Sequence, residues 1–247
     1  MKIDFTYKKI FVNTFTKFGS KIASILLSLI SVSLLTRYLG TEGYGNYTLV
    51  FTYISFFAIA SDIGFNVMVV REFAREEERS ALAKATFLNL KVILIGLSIV
   101  LSMIGLLFFP YPLYLKNVII IGILAVAVGN MSSYGTSILQ SRIRLDLVAL
   151  IDLLTKVVTV FVIVCFTRLN LGFYYIVASV FIGNLMGLVT SLYFVRGQLT
   201  FKLYLDKSLV IKLIKMGLPV GLTAFLSLAY FKVDTLMLSV MRPPAEV

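Results

Sequence analysis

The chain has 247 residues, 59% of them hydrophobic, with a mean hydropathy of +0.96 and a net charge of +11. Soluble domains use roughly 45–50% apolar residues, so a water-soluble core is excluded and the length is better counted in membrane spans of about 20 residues. The absence of histidine and the single cysteine, Cys165, exclude an intrachain disulfide, a Cys–His zinc site and histidine acid–base catalysis. The basic residues flank apolar runs instead of forming a nucleic-acid face.

Seven apolar runs are long enough to be helical spans: Ile10–Leu35, Asn46–Val70, Ala85–Phe109, Val118–Leu139, Leu147–Thr167, Phe173–Val195 and Met216–Val240. The expected fold is therefore an all-α polytopic membrane protein. The lysines that precede Ile22 to Thr36 imitate a secretory signal, but Arg37-Tyr-Leu-Gly40 follows where a small-x-small cleavage site would stand. The segment reads as a retained first span. Leu203 to Lys215, mixing leucines with Lys207, Lys212 and Lys215, reads either as a short interfacial helix or as a basic loop.

Of the 23 Lys and Arg, sixteen lie in the N-terminal segment and in alternate gaps: Lys2, Lys8, Lys9, Lys17, Lys21; Arg71, Arg75, Arg79, Lys84; Arg142, Arg144; Arg196, Lys202, Lys207, Lys212, Lys215. The other gaps and the tail hold Arg37, Lys116, Arg168 and Arg242. This asymmetry places the N-terminus on the cytoplasmic side of a plasma membrane.

Polar residues inside the runs recur three and four apart and so share helix faces. Run one carries Thr14, Lys17, Lys21, Ser24, Ser28 and Ser31; run two Thr48, Thr52, Ser55, Asp62 and Asn66; run five Asp152, Lys156 and Thr159; run seven Thr223, Ser227, Tyr230 and Asp234. Small residues of this kind also serve helix packing, and Gly183, Gly187 and Ser191 fit that reading best. A charge at the bilayer centre costs about 2.5–3.5 kcal/mol on insertion scales unless paired or hydrated. Lys156 is roughly 15 Å past Asp146 along a helix, near the midplane. Asp152, one turn away, either neutralises it in a buried ion pair or lines a polar cavity with it.

Lys232 and Asp234 point about 200° apart on a helix and need separate partners. Lys17 and Lys21 lie within the membrane or in a wet opening, because about 15 residues after Lys21 are too few to cross the bilayer before Arg37. Lys91 is close enough to the boundary to snorkel. The alternating charges Arg71, Glu72, Arg75, Glu76 and Arg79 read as a solvated face, with Arg71 the first charge to emerge from the span that holds Asp62. Pro219 between Gly217 and Gly221 is expected to kink or start the seventh helix, a discontinuity of the kind that borders transporter sites.

Arg37-Tyr-Leu-Gly40-Thr-Glu42-Gly-Tyr44-Gly45, Ser61-Asp62-Ile-Gly64, Arg71-Glu72, Gly217-Leu-Pro219 and Lys232-Val-Asp234-Thr-Leu-Met237-Leu resemble the lipid-linked oligosaccharide flippases. These form the O-antigen translocase-like polysaccharide-export branch of the multidrug/oligosaccharidyl-lipid/polysaccharide exporter superfamily. The resemblance runs from about residue 10 to the last residue. It implies 12 to 14 spans in two lobes, of which this sequence corresponds to a six-helix N-terminal lobe (1–200), an amphipathic linker (201–215) and the seventh helix with the start of a second lobe (216–247).

It further implies a transporter that moves an undecaprenyl-diphosphate-linked oligosaccharide from the cytoplasmic to the outer leaflet, without covalent chemistry, cofactor or metal. Lys17, Lys21, Arg71, Lys156 and Lys232 are the expected diphosphate partners, with Asp62, Asp152 and Asp234 completing the cavity. Partners would be the lipid-linked substrate, membrane lipids, and a second transporter half or a polysaccharide polymerase. The alternatives are a cation-coupled multidrug exporter, disfavoured because the charges in the spans are mainly lysine; a membrane transferase, which lacks an acidic cluster beyond Glu76 to Glu78; and a non-transporting half-length fragment or subunit.

The charge asymmetry makes a topological prediction. Alkaline phosphatase fused after Lys116 is expected to be active and after Arg144 inactive in a bacterial host; the reverse pattern would invert the orientation.

Overall fold

The computed structural model describes residues 2–75 and 80–241, and of these the side chains of 17–75, 80–235, 237 and 241. Glu76 to Glu78, Arg79 and Arg242, and the side chains of Lys2, Lys8, Lys9 and Thr14, lie outside the described residues. The elements are α1 (Lys2–Ala58), a 3-10 turn (Ile59–Ser61), α2 (Phe65–Arg75), α3 (Ala81–Phe108), α4 (Leu113–Ser141), α5 (Leu145–Arg168), α6 (Phe173–Val195), a second 3-10 turn (Arg196–Gln198) and α7 (Lys207–Met241). Among the described residues, six helical stretches are long and apolar enough to cross a membrane.

The first of these stretches, Lys17–Arg75, has 59 residues, long enough for two crossings. A straight helix of the 57 residues in α1 would measure roughly 85 Å, well over twice the hydrocarbon thickness. The chain turns at Gly40, whose φ of 70° and ψ of −175° leave the helix and which only glycine adopts easily. Leu35 before the turn packs beside Ile163 of α5, whereas Leu49, Val50, Tyr53 and Ile54 after it pack with Leu106 of α3 and Leu115 to Ile123 of α4. The kink thus takes the place of the loop expected between runs one and two.

Two larger apolar clusters, besides the small one around Leu35, Ile163 and Ile176, hold the bundle together. One joins residues 49–54 to the end of α3 and the start of α4. The other joins Phe65, Met68, Val69 and Phe73 of α2 to Phe87, Leu90 and Leu94 of α3, Tyr134 and Ile138 of α4 and Leu213 of α7. The small residues of α6 serve close packing: a Cβ at Gly183 or Gly187 would overlap Thr159 or Thr155 of α5, and one at Gly135 of α4 would lie 2.9 Å from Ser191.

The second crossing is interrupted. Ile63 (φ 40°) and Gly64 (φ 72°) are both left-handed, and the β-branched Ile63 is an outlier there. The Asp62 carboxylate accepts from the amide of Asn66 at 3.0 Å and so caps α2. Asp62 therefore ends one helix and starts the next, where the sequence pattern placed it inside a continuous span. The break docks on the glycine face of α7: a Cβ at Gly64 would lie 2.7 Å from the carbonyl oxygen of Gly217, and one at Gly221 2.8 Å from Ile63 Cα.

A polar edge of α3 meets the groups that this break exposes. Lys91 Nζ donates to the carbonyl of Ser61 at 3.0 Å and lies 3.6 Å from Asp62 Oδ1. Ser98 donates to the carbonyl of Phe57 at 2.9 Å, and the Tyr53 hydroxyl donates to the carbonyl of Ser102 at 2.7 Å. Lys91 is fully buried, so it does not snorkel; the break supplies an acceptor and an anion where the boundary would have supplied water.

Pro219 sits inside α7, which runs through it as one helix, so the expected discontinuity falls in the second crossing and not here. Neighbouring helices let membrane helices tolerate such a proline. Residues 203–215 do not form a separate helix. Residues 199–206 form neither helix nor strand, and Asp206 caps α7 by accepting from the Ser208 and Leu209 amides at 2.9 and 3.3 Å. Glu72, buried on α2, ties to α7 through Lys212 at 3.2 Å and is not part of a solvated face.

Replacing Lys91 by Met would leave the Ser61 carbonyl and Asp62 without their buried partner. The expected loss is on the order of 3 kcal/mol of stability, seen as a lower unfolding temperature in detergent, with a smaller loss for Lys91→Arg. Unchanged unfolding of Lys91→Met would refute this role.

Candidate functional site

A cavity of about 710 Å³ opens between the first half of α1 and helices α4, α5 and α6. Lys17, Lys21 and Ser24 line it from α1, Gly129, Ser132, Ser133 and Thr136 from α4, Asp152, Thr155 and Lys156 from α5, and Asn184 from α6. The i, i+4 spacing of Lys17 with Lys21 and of Asp152 with Lys156 sets each pair on one helix face. The two faces then meet across the cavity.

The charged side chains here are exposed, and no ion pair within 4.0 Å joins Asp152 to Lys156 among the described residues. A buried Asp152–Lys156 pair is therefore not what the structure contains. Asp152 sits in the field of Lys17, Lys21 and Lys156 together. Three ammonium groups around one carboxylate leave the cavity net positive.

The neutral groups have a definite polarity as well. Ser20, Ser133, Thr136 and Thr155 each donate their hydroxyl proton to a carbonyl of their own helix, at 2.8 to 3.1 Å. Asn184 donates through Nδ2 to the carbonyl of Ala125 at 2.8 Å. With these protons committed, the hydroxyl oxygens among the lining residues are left with acceptor capacity, suited to a ligand rich in hydroxyl donors, while the lysines supply donors to anionic oxygens.

A second cavity of about 270 Å³ shares Ser133 and Thr136 with the first and extends to Asn66, Ser137 and Gln140. The Asn66 side-chain oxygen is buried there without a hydrogen-bond partner. A third, of about 440 Å³, lies between the second half of α1, α4 and α7, is lined mainly by apolar groups such as Phe51, Ile59, Val126 and Leu228, and touches Asp62.

The structure thus brings together Lys17, Lys21, Asp152 and Lys156, and separates the other residues expected in the site. Asp62 belongs to the helix break. Arg71 is exposed on α2 and lines none of these three cavities. Lys232 and Asp234 also lie away from them on α7, where Asp234 accepts from the amide of Thr235 at 2.8 Å. Ser132, Ser133, Thr136 and Asn184 were not singled out from the sequence, although the dense polar run Gly129 to Ser137 in the middle of an apolar span was a legible sign. Among the described residues no three His, Cys, Asp or Glu groups come together as a metal site.

A family model described as polysaccharide biosynthesis protein matches residues 10–247, and the chain belongs to that family. No curated protein and no solved structure matches it.

If the cavity is wet, single cysteines introduced by Ser133→Cys or Ser24→Cys, with Cys165→Ser, will react with a water-soluble thiol reagent. Ser191→Cys, fully buried between helices, will not. Equal protection of all three positions would mean that the cavity is closed to water.

Proposed function

We propose that this member of the polysaccharide biosynthesis protein family takes part in flipping a lipid-linked oligosaccharide across a plasma membrane, from the cytoplasmic to the outer leaflet. The substrate in this reading is an undecaprenyl-diphosphate-linked glycan. The observation that carries it is the cavity in which Lys17, Lys21 and Lys156 surround Asp152 beside a wall of hydroxyl and amide acceptors. A diphosphate needs fixed cations, and lysine ammonium groups act on it as point charges. Sugars offer many hydroxyl donors to oxygens whose own protons are already committed. The prenyl tail can remain in lipid throughout, so only the polar head has to cross.

In this mechanism the protein makes and breaks no covalent bond. It replaces the water around the diphosphate with ammonium groups and around the sugars with hydrogen-bond acceptors, which lowers the cost of taking that head into the membrane. Asp152 has two effects: it offsets mutual repulsion of the lysines while the cavity is empty, and it keeps the site from holding the anion too tightly to release it. The described helices form one lobe of the transporter in this proposal, with the cavity facing a second lobe. The net positive lining favours an anionic cargo over the cationic compounds that a multidrug exporter would carry.

Replacing Lys17, Lys21 or Lys156 by Gln in the host's own gene is expected to reduce glycan export, and the lipid-linked intermediate should accumulate in the inner leaflet. A charged hydrogen bond lost at each lysine corresponds to about tenfold in binding. Lysine-to-arginine changes should retain more activity than the glutamines. Normal export by a triple glutamine variant would remove this cavity from the pathway.

A further inference from the structure

Residues 199–206, between α6 and α7, form neither helix nor strand, and 201–205 are exposed. A segment without regular structure carries backbone groups that need partners wherever water is scarce. Asn89 of α3 supplies two of them, donating through Nδ2 to the carbonyls of Lys202 at 2.7 Å and Tyr204 at 3.0 Å. The amide of Asp206 donates to the Thr86 hydroxyl at 3.2 Å. The strap is therefore pinned to one face of α3.

Its position along α3 sets its depth. The 28 residues of α3 span roughly 42 Å, about 12 Å more than the hydrocarbon layer. Asn89 lies about 12 Å from the start of the helix at Ala81, which puts the strap just inside the hydrocarbon boundary of a centred helix and not over the end of the bundle. Val92 and Ile93 are next below it on α3; both are exposed and begin the apolar stripe that continues through Leu97, Val100 and Ile104. The strap crosses the upper edge of a lipid-facing surface.

The strap's own side chains match that level. Phe201 is 80% exposed and Leu203 fully so, an arrangement that in water would forgo the gain from burying two large apolar side chains. Lys202 and Lys207 stand exposed beside them, and Arg196 rests 5.0 Å from the centre of the exposed Tyr193 ring. Aromatic and basic groups together mark a membrane interface. The acid of the strap, Asp206, is occupied in capping α7. Apolar pegs between uncompensated cations fit an anionic headgroup above an acyl layer.

We propose that the strap 199–206 is a docking surface for anionic phospholipid at the lysine-rich end of the bundle. Phe201 and Leu203 enter the acyl layer, and Lys202, Lys207 and Arg196 meet the lipid phosphates. Because the strap ends in the cap of α7, bound lipid also fixes where α7 begins. This docking is independent of the cargo assigned to the cavity.

The chain contains no tryptophan, so Phe201→Trp or Leu203→Trp each gives a sole reporter. The full chain carrying either change would be placed in phosphatidylcholine vesicles with increasing phosphatidylglycerol, one lipid or the other brominated on its acyl chains. The expected result is blue-shifted emission quenched by both brominated lipids, with stronger quenching per molecule by phosphatidylglycerol. Lys202→Gln and Lys207→Gln should each lower that preference by about fivefold. Emission of a water-exposed indole without quenching would overturn insertion, and equal quenching by both lipids would overturn the anionic preference. Native mass spectrometry of the unsubstituted protein gives a second reading: retained phosphatidylglycerol that the double glutamine variant does not lose would equally contradict the proposal.

Discussion

Inside hydrocarbon a helix can be broken only where something else meets the backbone groups that the break releases. In this protein the second crossing is broken at Ser61 to Gly64, and the buried ammonium of Lys91 meets both the Ser61 carbonyl and the Asp62 carboxylate. Most of the bundle's arrangement follows from that contact. It fixes α3 against the second crossing, sets Asp62 as the cap of α2, and leaves Ile63 and Gly64 to be received by Gly217 and Gly221 of α7. A larger residue at either α7 position would push α7 off the break, and with it the Glu72–Lys212 tie farther along α2.

The same constraint sorts the polar residues of the spans into two groups. Thr159, Ser179 and Ser191 bond to their own helices and pack against neighbours, and Gly183 and Gly187 let α5 and α6 approach. Lys17, Lys21, Asp152 and Lys156 instead face one another across open space. A membrane protein keeps such charges unpaired only where water or a ligand reaches them. The cavity is thus distinguished from the packing seams by charges that have no ion-pair partner within 4.0 Å among the described residues, three ammonium groups to one carboxylate.

Much of the fold was legible because the bilayer imposes one length scale. The seven apolar runs correspond to six long apolar helical stretches, the first two runs sharing one, and helical spacing places Lys17 with Lys21 and Asp152 with Lys156 on shared faces. Less legible were departures from helical geometry. Asp62, followed by Ile63 and Gly64, reads as part of an apolar span until the capping role of Asp and the left-handed preference of Gly are weighed together. Pro219, the stronger breaker by propensity, stays inside a continuous helix. Distance along the helix puts Lys91 within snorkelling reach of the span's end, whereas its environment is set by a partner thirty residues away in sequence. Lys232 and Asp234 carried charge without revealing where it points, since helical phase alone does not fix which neighbour a face meets. Asn184 was hidden for the opposite reason: a lone amide in an apolar run gives no pattern until three helices converge on it.

The proposed recognition of a diphosphate by the lysine-lined cavity is tested by equilibrium binding of undecaprenyl diphosphate to the purified full chain in detergent, compared with undecaprenyl monophosphate and with a lipophilic cation of similar size. Binding should be tightest for the diphosphate, weakened on the order of tenfold by loss of Lys17 or Lys156 and tightened by Asp152→Asn. Indifference to headgroup charge, or preference for the cation, would contradict it.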